Sequence, residues 1–171
     1  NTLSVSEVRA LFAVVSRPEV VSLAGGMPFV SALPKELMEA SFDSMMTERG
    51  NYALQYGGGQ GDLRLRDQIR EVMALEGIRS SVEDIVMTTG SQHGLELLSS
   101  LFLDEGDAVL AEGPSYVGAL GIFYHFQAHV EHVYTDQDGI SPEALQESIN
   151  HLREQGRKIK FLYLVPNFAN P

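Results

Sequence analysis

Apolar positions fall into two rhythms along the chain. Over the first 80 residues they recur at the helical period. Val8, Leu11, Phe12 and Val15 follow Ser4 and Glu7, which have the spacing of a capping box, and the helix they predict ends near Arg17-Pro18. Residues 20–23 form a short extended run that breaks at Gly25-Gly26-Met27-Pro28. Pro34 predicts the first turn of a second helix and Gly50 its close. Residues 51–61 are a glycine-rich loop. Leu65, Ile69, Val72 and Met73 mark one face of a third helix that ends at Gly77.

From residue 85 the rhythm changes. Strands are expected over 85–89, 108–111, 130–134 and 161–165. Between them lie helices that open at Gly90-Ser91-Gln92, at Ser115 and at Ser141-Pro142. Four alternations with short connections predict an α/β fold: a mostly parallel sheet with helices on both faces. The first 80 residues read as an arm and the edge of that domain.

Composition narrows the class. Hydrophobic residues make up 44% and charged residues 20%, as in a globular protein and unlike a disordered or collagenous chain. No apolar run approaches the ~20 residues needed to span a bilayer. Acidic residues number 23 against 12 basic, a net charge of −11, which disfavours non-specific binding to nucleic acid or anionic membrane. A local cluster of backbone N–H groups can still hold a small anion. Cysteine is absent, which excludes disulfides, zinc fingers and a thiol nucleophile. The N-terminus has no signal-peptide pattern, so a cytoplasmic location is expected. The sequence opens without methionine and stops just after a strand-like run, so a fragment is expected.

Several familiar motifs fail on inspection. Gly57-Gly58-Gly59-Gln60-Gly61 fits no register of G-x-G-x-x-G and is followed by no Gly-Lys-Ser/Thr. Gly113-Pro114-Ser115-Tyr116-Val117 lacks the last glycine of a nucleophile elbow. His125, His129 and His132 are expected to diverge between a helix and a strand, so no metal site is expected. The strand-to-helix junction at Gly90-Ser91-Gln92 is more informative. Ligands of open parallel sheets bind beyond the strands' carboxyl ends, and unpaired first-turn N–H groups there bind phosphate. Ser91 either caps the helix or adds a hydroxyl donor to a phosphate cradle, and the residues alone leave both open. Tyr116 and Asn170 follow the next strand and the last strand. In a parallel sheet all three turns gather at one end, around one planar phosphorylated ligand.

In this order and spacing the motifs resemble a known family. They are Val21-Ser-Leu-Ala-Gly-Gly-Met-Pro28, Leu54-Gln-Tyr-Gly57, Thr89-Gly-Ser-Gln92, Leu103-Asp-Glu-Gly-Asp107, Glu112-Gly-Pro-Ser-Tyr116 and Val165-Pro-Asn-Phe-Ala-Asn-Pro171. Over nearly its whole length the chain resembles the N-terminal part of a fold-type-I, pyridoxal-phosphate-dependent aminotransferase. The likeness is to the aminoadipate/kynurenine branch, which shares its domain with MocR-type regulators.

The resemblance implies that residues 1–50 form an arm and helical segment on the small-domain side. Residues 51–171 become the first part of a cofactor-binding large domain, incomplete at its C-terminus. It implies pyridoxal 5′-phosphate as cofactor, with Gly90, Ser91 and Gln92 on its phosphate and Tyr116 stacked on its ring. Asn170 is implied at the ring's phenolic oxygen and at the substrate carboxylate. Tyr56 is implied to reach the partner's cofactor across a homodimer. Arg9, Gly25 and Gly26 are implied to contact substrate, an amino acid or a 2-oxo acid, although Arg9 is equally an ordinary solvated charge. The Schiff-base lysine of the family is missing. Lys35, Lys158 and Lys160 are the only lysines, and none matches its position, so this segment alone carries no catalytic residue and is expected to be inactive. His93 and Ala169 depart from the family pattern. Two other readings stand beside an aminotransferase: the effector-binding domain of a MocR-type regulator, and an α/β domain without cofactor.

Overall fold

The structure, a computed structural model, describes residues 14, 17, 19–21 and 28–169. The expected first helix and the Gly25-Gly26 turn lie largely outside the described residues, as do Arg9, Gly25, Gly26 and Asn170. The chain divides into two compact units, Asn1–Gln55 and Tyr56–Pro171.

In the first unit a 3₁₀ turn, Val30–Ala32, precedes helix α1, Lys35–Ala53. Pro34 sits at the N-cap, one residue before the first turn. The helix was expected to close at Gly50 but runs three residues further. It kinks at Arg49 (φ −138°, ψ 15°), whose guanidinium stacks 4.6 Å above the Tyr52 ring, and Leu54 N–H closes the last turn on Gly50 O.

In the second unit Asp62 caps α2, Leu63–Leu75, by accepting from Leu65 N–H at 3.0 Å. The helix ends where Gly77 takes a left-handed conformation (φ 77°). Ser81 and Asp84 close a capping box around the short turn Val82–Asp84. Then come α3 (Gly90–Phe102), β1 (Ala108–Gly113), α4 (Val117–His125), β2 (His129–Asp136), β3 (Gly139–Ile140), α5 (Pro142–Glu154) and β4 (Ile159–Tyr163).

The strands form one sheet in the order β3-β2-β1-β4. β1 pairs in parallel with both β2 and β4, and β3 runs antiparallel to β2. The mostly parallel sheet therefore stands, with two corrections. Residues 85–89 form no strand. Ile85 is extended and buried, but the segment joins no ladder among the described residues. A strand is defined by its neighbour, and none is supplied here. β3 is an addition, formed by a hairpin that turns at Gln137-Asp138, between the paired Asp136 and Gly139. Gly139 has φ 110°, and Asp138 N–H bonds the Asp136 carboxylate at 2.8 Å.

Alternation along β1 builds a core on each face. Val109 packs with Leu103, Ala119, Phe123 and Ala128 under α4, and Leu95 of α3 joins them. Ala108 and Leu110 pack with Val133 and Leu152 under α5. β4 serves both cores through a bulge. Ala108 pairs with Ile159 but Val109 with Phe161, so Lys160 is the extra residue. In a regular strand without the bulge Ile159, Phe161 and Tyr163 would share one face. With it, Ile159 joins Leu152 while Phe161 and Tyr163 set their rings 5.6 Å from Phe123. Among the described residues no helix is long and apolar enough to cross a membrane.

Candidate functional site

The topology itself selects one end of the sheet. From β1 the chain crosses through α4 to β2 on one side, then through α5 back past β1 to β4 on the other. The order of connection reverses between β1 and β4, and in open α/β sheets ligands bind outside the carboxyl ends of such a pair. Two exits frame this crevice. β1 runs into Pro114-Ser115-Tyr116 and α4, and β4 runs into residues 164–169.

Tyr116 stands at the N-cap of α4, partly exposed. Its ring lies over Gly118. A Cβ on Gly118 would sit 2.5 Å from the Tyr116 Cζ, so the absence of a side chain makes the ring's seat. A bond ties the β4 exit to β1: Val165 N–H donates to the Glu112 carboxylate at 2.8 Å. Gly113 N–H in turn donates to Thr135 Oγ1 at 3.3 Å. Burial pushes the Tyr163 phenol above its ordinary pKa, and the charge of Glu112 and the nearby Tyr116 add to the rise.

α3 packs along α4 and opens at Thr89, not Ser91. Thr89 is the N-cap and Ser91 the second helical residue, so Ser91 is no cap. Gly90 is left-handed (φ 76°), and the space where its Cβ would stand is open. Thr89 N–H donates to His93 Nδ1 at 3.1 Å, and Thr88 Oγ1 donates to Gly90 O at 3.0 Å. The N–H groups of Ser91 and Gln92 meet no acceptor among the described residues, and both residues are exposed. Such a first turn offers two free donors at the positive end of a helix dipole.

Tyr56 is fully exposed at the head of the glycine-rich loop. Gly57, Gly58 and Gly59 have open space around them. Gly61 does not: it is left-handed (φ 95°), and its Cβ would meet the Met87 side chain at 2.5 Å. Gln60 braces the loop. Its backbone O accepts from Met87 N–H at 2.9 Å, its amide donates to Glu83 O, and its Oε1 accepts from the buried Arg66 guanidinium. The loop is thus docked on the segment that leads into α3.

Lys160 lies at the other end of the sheet. Its Nζ is 2.9 Å from the buried Asp107 carboxylate, just before β1. Asp107 also accepts from Asp104 N–H at 2.8 Å, and these two bonds hold its carboxyl below the ordinary pKa. His129 pairs with Glu131 at 3.3 Å, and His125 meets Phe126 edge-on. Among the described residues no three His, Asp or Glu side chains gather as a metal site.

The sequence suggested no site role for Gly118, Glu112, His93 or the Gln60–Arg66 pair. A glycine two residues after Tyr116 was a readable signal. The bond from Glu112 to Val165 was not, since it spans 53 positions.

Comparison with known proteins shows what the chain is similar to. No family model matches the chain. Over 170 residues it is 33% identical to aromatic-amino-acid aminotransferase 1 of Thermococcus litoralis, covering 99% of this chain and 41% of that one. It is 37% identical to 2-aminoadipate transaminase of Thermus thermophilus, covering 99% and 40%. Kynurenine aminotransferase from Pyrococcus horikoshii, solved with PMP, superposes with a TM-score of 0.90 at 35% identity, covering 99% and 42%. Over nearly its whole length the chain is similar to aminotransferases, and it has their fold over the part it shares with them. It spans about two fifths of the length of the relatives it matches. A weaker likeness, 26% identity over 152 residues, runs to the HTH-type transcriptional regulator NorG of Staphylococcus aureus. It covers 88% of this chain and 33% of that one.

Proposed function

We propose that the parent protein is a pyridoxal 5′-phosphate-dependent aminotransferase and that this chain supplies its cofactor cradle. The observation that carries the reading is the opening of α3: Gly90 left-handed with open space above it, and the Ser91 and Gln92 N–H groups without acceptors. That arrangement fits a phosphate dianion, and the Ser91 hydroxyl adds a third donor. Tyr116, seated on Gly118, offers a ring face to a planar heterocycle. When bound, the cofactor supplies the electron sink and carries the amino group from an amino acid to a 2-oxo acid.

The chain's own residues hold and orient. Gly90, Ser91 and Gln92 would hold the phosphate, Tyr116 would cover the ring, and Asn170 would serve the ring's phenolic oxygen and the substrate carboxylate. Arg9, Gly25 and Gly26 line the substrate side. Tyr56 reaches the phosphate held by the second copy in a homodimer, and open Gly57–Gly59 let the chains approach. Residues 1–50 form the arm on the small-domain side and 51–171 begin the large domain, in a cytoplasmic protein. Lys158 and Lys160 stand at the amino end of β4, away from this edge. The reactive lysine is assigned in this reading to the part of the relatives' length that the chain does not span.

The test is reconstitution of the full-length parent with pyridoxal 5′-phosphate and, separately, with pyridoxal. The phosphate form should bind far more tightly, and amino acids should yield 2-oxo acids. Equal affinity for the two forms would sink the cradle. The NorG likeness favours a second reading, an effector-binding domain of a regulator. In that case the phosphate form binds tightly but no amino group is transferred.

A further inference from the structure

Glu112 is the last residue but one of β1, directly before the exit that carries Tyr116. Its carboxylate makes no ion pair among the described residues. It accepts instead from the backbone N–H of Val165, two residues past β4. The parallel ladder between β1 and β4 has already ended, at the pair Ala111–Tyr163. Beyond that pair this bond ties the two exits together. It joins the two strands between which the order of connection reverses.

We propose that Glu112 is a positioning residue: it latches the β4 exit to β1 and so sets the distance between Tyr116 and the segment that carries Asn170. The inference rests on the reading above that this edge holds the cofactor ring. Val165 precedes Pro166, which keeps its backbone extended and its N–H pointing out of any local turn. An N–H at a strand exit has no ladder partner, so a side chain must supply one or water will. A charged acceptor at 2.8 Å makes the stronger kind of bond. With the latch closed, the two exits move together. With it open, each ring contact is made by a loop free to drift from the other.

The experiment uses the full-length parent with Glu112→Ala and Glu112→Gln. Glutamine keeps an acceptor oxygen at the same reach, whereas alanine removes it. Glu112→Ala should speed amide exchange at Val165 in the apo-protein roughly ten- to hundredfold. It should also weaken cofactor affinity and flatten the visible circular dichroism of the bound cofactor, which reports how rigidly the ring is held. Glu112→Gln should restore most of all three. Should Glu112→Ala fail to fold, Glu112→Asp, one methylene too short for the bond, replaces it. Faster exchange with unchanged affinity and dichroism overturns the positioning role, and so does a glutamine variant as impaired as alanine. If the parent binds no cofactor, the aminotransferase reading has failed. If it binds and Tyr116→Ala weakens it while the Glu112 variants behave as wild type, only the latch has failed.

Discussion

Gly118→Ala separates fold from site because its two effects have opposite signs. Gly118 is the second residue of α4 and has no left-handed backbone, so alanine fits the helix. Replacing a helical glycine by alanine stabilises by up to about 1 kcal/mol. The new Cβ would, however, stand 2.5 Å from the Tyr116 Cζ and 2.6 Å from its Cε1 and hydroxyl oxygen. Those atoms are the free end of a side chain with two rotatable bonds. The ring swings off its seat, and the helix gives nothing. An aromatic contact is worth about 0.5–1.5 kcal/mol beyond area burial, which is roughly two- to twelvefold in affinity. In the full-length parent, Gly118→Ala should therefore melt no lower than wild type as apo-protein and yet bind pyridoxal 5′-phosphate weaker by that factor. Tyr116→Ala should lose at least as much. Equilibrium dialysis and apo-protein melting curves measure the two quantities. Wild-type affinity in Gly118→Ala, beside a clear loss in Tyr116→Ala, would refute the seat.

Asp107 is held below its ordinary pKa of 3.8 by the Asp104 N–H and then by Lys160. A depressed carboxylate stabilises the fold above its unfolded value and loses that contribution as pH falls through the folded one. Asp107→Asn in the parent should cost about 1–3 kcal/mol at pH 7 and much less near pH 2; equal losses in urea melts at both pH values would exclude the ion pair as the cause. Gly61→Ala should destabilise by at least the ~1–2 kcal/mol of a left-handed residue, while Gly58→Ala, with open space around it, should melt like wild type; equal melts for the two would contradict the docking of the loop on Met87. Asn170→Ala should raise the pH at which the bound cofactor's visible absorption titrates by about one to two units, since a hydrogen bond to a charged group is lost. An unmoved titration with cofactor still bound would place Asn170 away from the ring.

What could be read from the sequence was what neighbours in the chain decide. α5 was legible because Ser141 caps it and Pro142 opens it, and the structure has both, with Ser141 Oγ accepting from Ala144 N–H at 3.2 Å. The strand expected over 85–89 failed for the opposite reason. Its residues suit a sheet, but its ladder must come from another segment, and local preference cannot supply a partner. The hairpin of β3 was missed although Asp138-Gly139 is a strong turn signal. Two residues of strand are too few to show a period.

The same division runs through the site. A helix start is decided by residues close together in the chain, so Gly90-Ser91-Gln92 and the turn at Tyr116 could be singled out as candidates from the sequence. The relation between them is a matter of register. Odd-numbered Ile159, Phe161 and Tyr163 read as one face of a strand, yet the bulge at Lys160 turns the first to one core and the other two to the opposite one. That shift brings Tyr163 opposite Ala111 and leaves Val165 within reach of Glu112. A strand without the bulge would slide by one residue and turn every side chain beyond it to the other face. The exit of β4 would then present a different amide to the Glu112 carboxylate. The bulge and the latch thus act in series: one sets which residues of β4 face the crevice, and the other fixes how far the exit stands from Tyr116.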